Sequence, residues 1–172
     1  RGVASSTIRW ATFPEMCLDV AADGPEDRSA IQLWGCERDS DHPNQRFLSP
    51  PSGRGTVRWA THPRKCLDVK QGGAADRGVI QLFECTKNGA HPNQQFILPT
   101  GPEGPIRWAT NPALCIDVQG GIMANGSTVQ LSRCAKDGTH PNQQFVVPPA
   151  GQGDACGGGF RGGGRLAAAS PL

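Results

Sequence analysis

The feature that most constrains this chain is an internal period of 49 residues. Arg9-Trp10-Ala11-Thr12 recurs as Arg58-Trp59-Ala60-Thr61 and again as Arg107-Trp108-Ala109-Thr110. The same step carries Cys17 to Cys66 and Cys115, Cys36 to Cys85 and Cys134, and His42-Pro43-Asn44-Gln45 to residues 91–94 and 140–143. Between Arg9 and Pro50, seventeen positions hold the same residue in all three copies, with no insertion or deletion. Such self-similarity means one structural unit used three times.

Each unit carries short strand candidates separated by turn chemistry. In the first copy these are residues 7–11, 17–21, 30–36 and 46–49. Between them lie Phe13-Pro14-Glu15, the Asp23-Gly24-Pro25 stretch and Asp39 to Pro43, all rich in residues that break ladders or favour turns. No unit holds an apolar stripe of helical period. Four strands in each of three copies predict about twelve short strands in an all-β domain. Three near-identical units without polar caps close more readily into a barrel than into an open solenoid, and closure removes exposed edges. The expectation is a β-trefoil with pseudo-threefold symmetry over residues 1–149, with repeats at about 8–56, 57–105 and 106–149. Residues 150–172, with their glycine triplets at 157–159 and 162–164, are expected to form a low-complexity tail.

Composition removes several function classes. The chain has 172 residues with 23 Gly, 15 Pro and no Tyr, a turn-rich balance unlike that of a helical bundle. A net charge of +2 without a basic cluster argues against nucleic acid as a partner. No apolar run reaches the span of a bilayer. The first residue is Arg1, so processing or a longer parent chain is expected.

Within each copy the two cysteines stand 19 positions apart. The expected bridges are Cys17–Cys36, Cys66–Cys85 and Cys115–Cys134, each closing a loop worth about 3 kcal/mol on the chain-entropy model. No Cys-x-x-Cys pair suggests zinc, and no metal or cofactor is expected. Three bridges indicate secretion or an oxidising lumen. Cys156 is the seventh cysteine, and with the Gly-rich tail it is the segment another protein subunit would order.

The polar residues that recur with the cysteines are Asp19, Gln32, Asn44 and Gln45, and their counterparts. Taken alone they fit turn capping and loop closure. Trp34 shifts the balance, because its counterparts are Phe83 and Ser132, and a core position does not become serine in an equivalent environment. An exposed ring beside a carboxylate and amides is the chemistry of a monosaccharide site: the carboxylate and amides take hydroxyls, and the ring takes the apolar C–H face. Trp10, Trp59 and Trp108 are unchanged between copies and read as core. The His-Pro histidines read as turn residues, and Arg9, Arg58 and Arg107 as stems covering apolar surface.

The sequence Cys-Leu-Asp-Val, followed by Ile-Gln-Leu-Trp-x-Cys and then Asn-Gln-x-Phe, resembles the ricin B-chain family of R-type lectins, which also includes xylan-binding modules. The resemblance spans residue 7 to about 149. It implies that the aspartate binds sugar hydroxyls, the aromatic stacks on galactose, the asparagine shares those hydroxyls, and the following glutamine buttresses the aspartate. Carried over, the first copy offers Asp19, Gln32, Trp34, Asn44 and Gln45. The second offers Asp68, Gln81, Phe83, Asn93 and Gln94, with a thinner platform. The third keeps Asp117, Gln130, Asn142 and Gln143 but has Ser132 in place of the ring, so its site is expected to be degenerate. The family's closing Gln-x-Trp is Gln-x-Phe here, at Phe47, Phe96 and Phe145. The copies are also longer than is usual, around Asp23–Arg28 and Pro50–Thr56, and these stretches are expected to reshape or cover the pockets.

Catalysis needs groups gathered in one cleft, whereas Asp19, Asp68 and Asp117 are dispersed by symmetry. The expectation is therefore no enzyme, but a lectin module for glycans, galactose-like or xylan-type. The alternative is a non-catalytic accessory subunit that uses a disulfide-stapled trefoil as scaffold.

Overall fold

The computed structural model describes residues 4–37, 42–73 and 77–150. Cys156 and the glycine triplets lie outside them. Within the described residues each repeat is built as a two-residue strand, a five-residue strand, a return strand of five or seven residues and a closing pair. In the first repeat these are β1 (Arg9–Trp10), β2 (Met16–Val20), β3 (Ile31–Gly35) and β4 (Phe47–Leu48). In the second they are β6 (Arg58–Trp59), β7 (Lys65–Val69), β8 (Gly78–Glu84) and β9 (Phe96–Ile97), and in the third β10 (Arg107–Trp108), β11 (Leu114–Val118), β12 (Ser127–Arg133) and β13 (Phe145–Val146). A thirteenth strand, β5 (Arg54–Gly55), pairs with β9 and accounts for the excess over the expected twelve. It lies in the long Pro50–Thr56 stretch, outside the four strand candidates of the first copy.

The pairing closes a ring. β4 pairs with β6, β9 with β10, and β13 with β1, so the end of each repeat is bonded to the start of the next. The hairpins β2–β3, β7–β8 and β11–β12 cap one end, where β12 also pairs with β3 and with β8. This is the β-trefoil.

Period-2 alternation explains which side chains face in. Leu18, Val20, Ile31, Leu33 and Phe47 are buried, and their repeat counterparts are buried with them. The swap to phenylalanine at the closing position keeps a fully buried ring in all three copies. Trp10, Trp59 and Trp108 are core residues, as expected, and each also bolts two repeats together. The Trp10 indole N–H donates to the Pro141 carbonyl at 2.7 Å, that of Trp59 to Pro43 at 2.7 Å, and that of Trp108 to Pro92 at 2.9 Å. Arg9, Arg58 and Arg107 are half-buried and repeat one local contact. Each guanidinium donates to a turn carbonyl five residues on, at Pro14, Pro63 and Pro112.

The three disulfides form as the spacing required, Cys17–Cys36, Cys66–Cys85 and Cys115–Cys134. Each staples the second strand of a repeat to the end of the third. Among the described residues no helix is long and apolar enough to cross a membrane.

Candidate functional site

On β2 the residues that alternate with Leu18 and Val20 are Cys17 and Asp19; on β3 those that alternate with Ile31 and Leu33 are Gln32 and Trp34. The register pairs Asp19 with Gln32 and Cys17 with Trp34, so carboxylate, amide and ring share the outer face of one hairpin. Asp68, Gln81 and Phe83 occupy the same face of β7–β8, and Asp117, Gln130 and Ser132 that of β11–β12.

The aspartates are buried yet held in one orientation by two glutamines each. Gln32 Nε2 donates to Asp19 Oδ1 at 2.9 Å, and Gln45 Nε2 donates to Asp19 Oδ2 at 3.2 Å. The second copy repeats this with Gln81 at 3.0 Å and Gln94 at 3.2 Å on Asp68, and the third with Gln130 and Gln143, both at 3.1 Å, on Asp117. Gln45 is fully buried, and Gln94 and Gln143 nearly so. Its Nε2 also donates to the Gly35 carbonyl at 3.0 Å, while its Oε1 accepts from Glu37 N at 3.1 Å. These three glutamines therefore stand behind the carboxylates, almost wholly shielded from solvent. Burial pushes the Asp68 carboxyl above its ordinary value, and the hydrogen bonds from Gln81 and Gln94 pull it partly back.

The first and second hairpins each carry an open cavity on this face. In the first repeat a cavity of about 370 Å³ is lined by Asp19, Ala21, Ala22, Gln32, Trp34, His42 and Asn44. Trp34 is 38% exposed beside it. In the second a cavity of about 540 Å³ is lined by Asp68, Gln81, Phe83, Asn93 and Gln94, together with Arg28, Lys70, Gln71, Glu84, Thr86 and His91. Asn93 closes against Gly72, whose φ is +59°; a Cβ there would lie 2.9 Å from Asn93 Oδ1. A larger depression of about 1010 Å³ lies where the segments after β4, β9 and β13 meet, but its walls are mainly proline and aliphatic, without a carboxylate.

Asp19, Gln32, Trp34 and Asn44, and Asp68, Gln81, Phe83, Asn93 and Gln94, were legible in the sequence, whereas the rest of the walls, including Gln71 and Glu84, was not. His42 and His91 line the cavities as well as opening the Pro-Asn-Gln turns. Their place two residues before Asn44 and Asn93 was the available signal. Arg28 had no such signal, because it belongs to the first repeat and lines the cavity of the second. The long Asp23–Arg28 stretch thus reshapes a pocket, but the neighbour's. Among the described residues no three His, Cys, Asp or Glu side chains converge as metal ligands.

The ricin-type β-trefoil lectin domain model matches residues 53–153. The chain belongs to this family. Solved structures agree on the fold of the lectin domain. The designed threefold-symmetric protein ThreeFoil superposes with a TM-score of 0.70 at 17% identity, over 84% of this chain and 99% of that one. The C-half of an earthworm R-type lectin, solved in complex with GalNAc, gives 0.62 at 17% identity, over 83% of this chain and 96% of that one. The hemolytic lectin CEL-III gives 0.64 at 21% identity, over 84% of this chain and 30% of that one. A comparison with curated proteins gives no match. Family membership supports a carbohydrate-binding role for the lectin domain.

Proposed function

We propose that the domain binds galactose-like or xylan-type sugars through two pockets, Asp19–Trp34–Asn44 and Asp68–Phe83–Asn93. The observation that carries this reading is the shared outer face of each hairpin, where an oriented carboxylate borders an open cavity beside an aromatic ring. A carboxylate oxygen accepts more than one hydrogen bond, so an aspartate held from behind by amides keeps capacity for vicinal hydroxyls. The ring then packs on the apolar C–H face of the sugar, and the asparagine amide orients a hydroxyl. Gln32, Gln81 and Gln94 act chiefly by orienting the aspartates, and Gln45 wholly so.

The third repeat has the oriented aspartate, Asp117, but Ser132 offers no ring, so it contributes a degenerate site. Two weak pockets on one rigid body favour multivalent glycans, where joint engagement raises avidity by orders of magnitude. The three disulfides support a secreted or luminal setting.

The test is a glycan array probed with the oxidised protein, Trp34→Ala and Asp19→Asn. Binding to galactose- or xylose-terminated glycans, lowered about tenfold or more by each change, is expected from the loss of one stacking or charge-assisted contact. Unchanged binding in both variants would refute the assignment of the first pocket. A silent array with the native spectrum by circular dichroism would refute the sugar reading altogether.

A further inference from the structure

The first and second pockets share their carboxylate, amides and ring but differ in charge. Among the described residues no lysine or arginine lines the first. Arg28 and Lys70 both line the second. Lys70 is the counterpart of Ala21, one period earlier. Arg28 reaches the second pocket from the neighbouring repeat, and the residue that plays this part for the first pocket, 98 positions on, is Gly126.

Arg28 is held in place by its own backbone. Its N–H donates to the Leu82 carbonyl at 2.7 Å, and Leu82 N donates to the Ser29 carbonyl at 2.8 Å. On its other side Asp27 Oδ1 accepts from Glu84 N at 2.7 Å. The segment is thereby tied along β8 beside Phe83. Gly126 N makes the matching bond to Leu33 O, and Asn125 Oδ1 accepts from Gly35 N at 2.8 Å, so the first pocket has the same strap without the cation. Arg28 has φ +79° and Gly126 φ +83°. An arginine occupies a left-handed position that suits glycine, at a backbone cost of about 1 kcal/mol.

The carboxylates around the second pocket do not cancel its cations. Glu84 is engaged by Lys65 at 3.2 Å, and Lys65 is shared with Asp27 at 2.7 Å. Asp68 is the remaining carboxylate on the wall, and its oxygens face Gln81 and Gln94. Arg64 also reaches Glu84, at 4.0 Å, so Arg28, Lys70, Lys65 and Arg64 against Asp68, Glu84 and Asp27 leave one positive charge in excess around the second pocket.

We propose that the second pocket selects an anionic sugar, one bearing a carboxylate or a sulfate ester, while the first takes neutral sugars. This rests on the carbohydrate reading above. The sugar's hydroxyls lie on Asp68 and Asn93, its apolar face lies on Phe83, and its anionic group meets Arg28 and Lys70. Arginine supplies the planar fork that suits either oxyanion.

The repeats themselves supply the test variants. Arg28→Gly takes the residue of the third repeat at the same φ, and Lys70→Ala takes that of the first. Trp34→Ala removes the platform of the first pocket and leaves the second to report. On an array of matched neutral, uronic-acid and sulfate-ester glycans at low salt, the Trp34→Ala protein should bind one or both anionic forms about tenfold or more above the neutral form, and which form it binds identifies the anion. Adding Arg28→Gly and Lys70→Ala should erase that preference. Placing Ala21→Lys with Gly126→Arg in a Phe83→Ala background should create it in the first pocket, where a Cβ at Gly126 meets nothing nearer than Gln32 Oε1 at 3.9 Å. Equal binding of neutral and anionic forms by Trp34→Ala, or a preference that survives loss of both cations, overturns the proposal alone. A Trp34→Ala protein that binds nothing while the native chain binds overturns it as well. Silence from every protein overturns the carbohydrate reading and this one with it.

Discussion

Replacing Gln45 with leucine separates two jobs that this side chain performs, holding Asp19 and closing the β3 end of the hairpin. The volumes are similar, so no cavity opens, and the effect is confined to polar groups. Gln45 is fully buried and makes three hydrogen bonds: to Asp19 Oδ2 at 3.2 Å, to the Gly35 carbonyl at 3.0 Å, and from Glu37 N at 3.1 Å. The charge-assisted bond contributes about 1.5 kcal/mol, and each bond to a backbone group contributes about 1 kcal/mol, more where the partner is left unsatisfied. Gln45→Leu should therefore cost about 3 to 4 kcal/mol. Gln32→Leu removes the bond to Asp19 Oδ1 from a part-exposed site and should cost about 1 kcal/mol. Both variants release one carboxylate oxygen and should weaken sugar binding at the first pocket. Urea unfolding of the oxidised proteins reads the stabilities, and isothermal titration with the best array ligand reads the binding. A Gln45→Leu cost below about 1 kcal/mol, or equal to that of Gln32→Leu, would refute the claim that Gln45 serves the fold as much as the site.

Two further predictions concern the staples and the second carboxylate. Replacing both Cys17 and Cys36 with serine opens a loop of 19 residues' separation and should lower stability by about 3 kcal/mol, read as a lower urea midpoint. The second concerns pH. Burial raises the Asp68 carboxyl above the ordinary value of 3.8, against the pull of Gln81, Gln94 and the nearby His91. The native state then holds this proton more tightly than the unfolded chain. The group's favourable contribution to stability is therefore fully present below the unfolded value and is lost as pH rises through the native one. Binding runs the other way, since the carboxylate is the acceptor, and the second pocket should lose its neutral-sugar affinity on acidification while still above pH 3.8. Titration of the Asp68 carboxyl by NMR checks both statements, and a midpoint at or below the ordinary value would refute them.

What was legible in the sequence follows from what repetition can report. Side chains that every copy needs for the same reason stood out as identities: the Trp10 set in the core, the cysteine pairs, and Asp19 with Gln45 and their counterparts. The position where a ring gives way to serine, Trp34 to Phe83 to Ser132, marked the candidate platform. The pocket walls contributed by a neighbour were not legible, because a period aligns each copy with itself. Arg28 aligns with Arg77 and Gly126 in sequence, whereas in space it borders Asp68 and Phe83, forty and more positions away. Strand β5 escaped for a similar reason, since Arg54–Gly55 finds its partner only in β9 of the next repeat. On the reading proposed above, the residues common to the copies hold the sugar, and the loop passed from each repeat to the next selects it through positions such as 28, 77 and 126, where the left-handed backbone recurs and the side chain is free to differ.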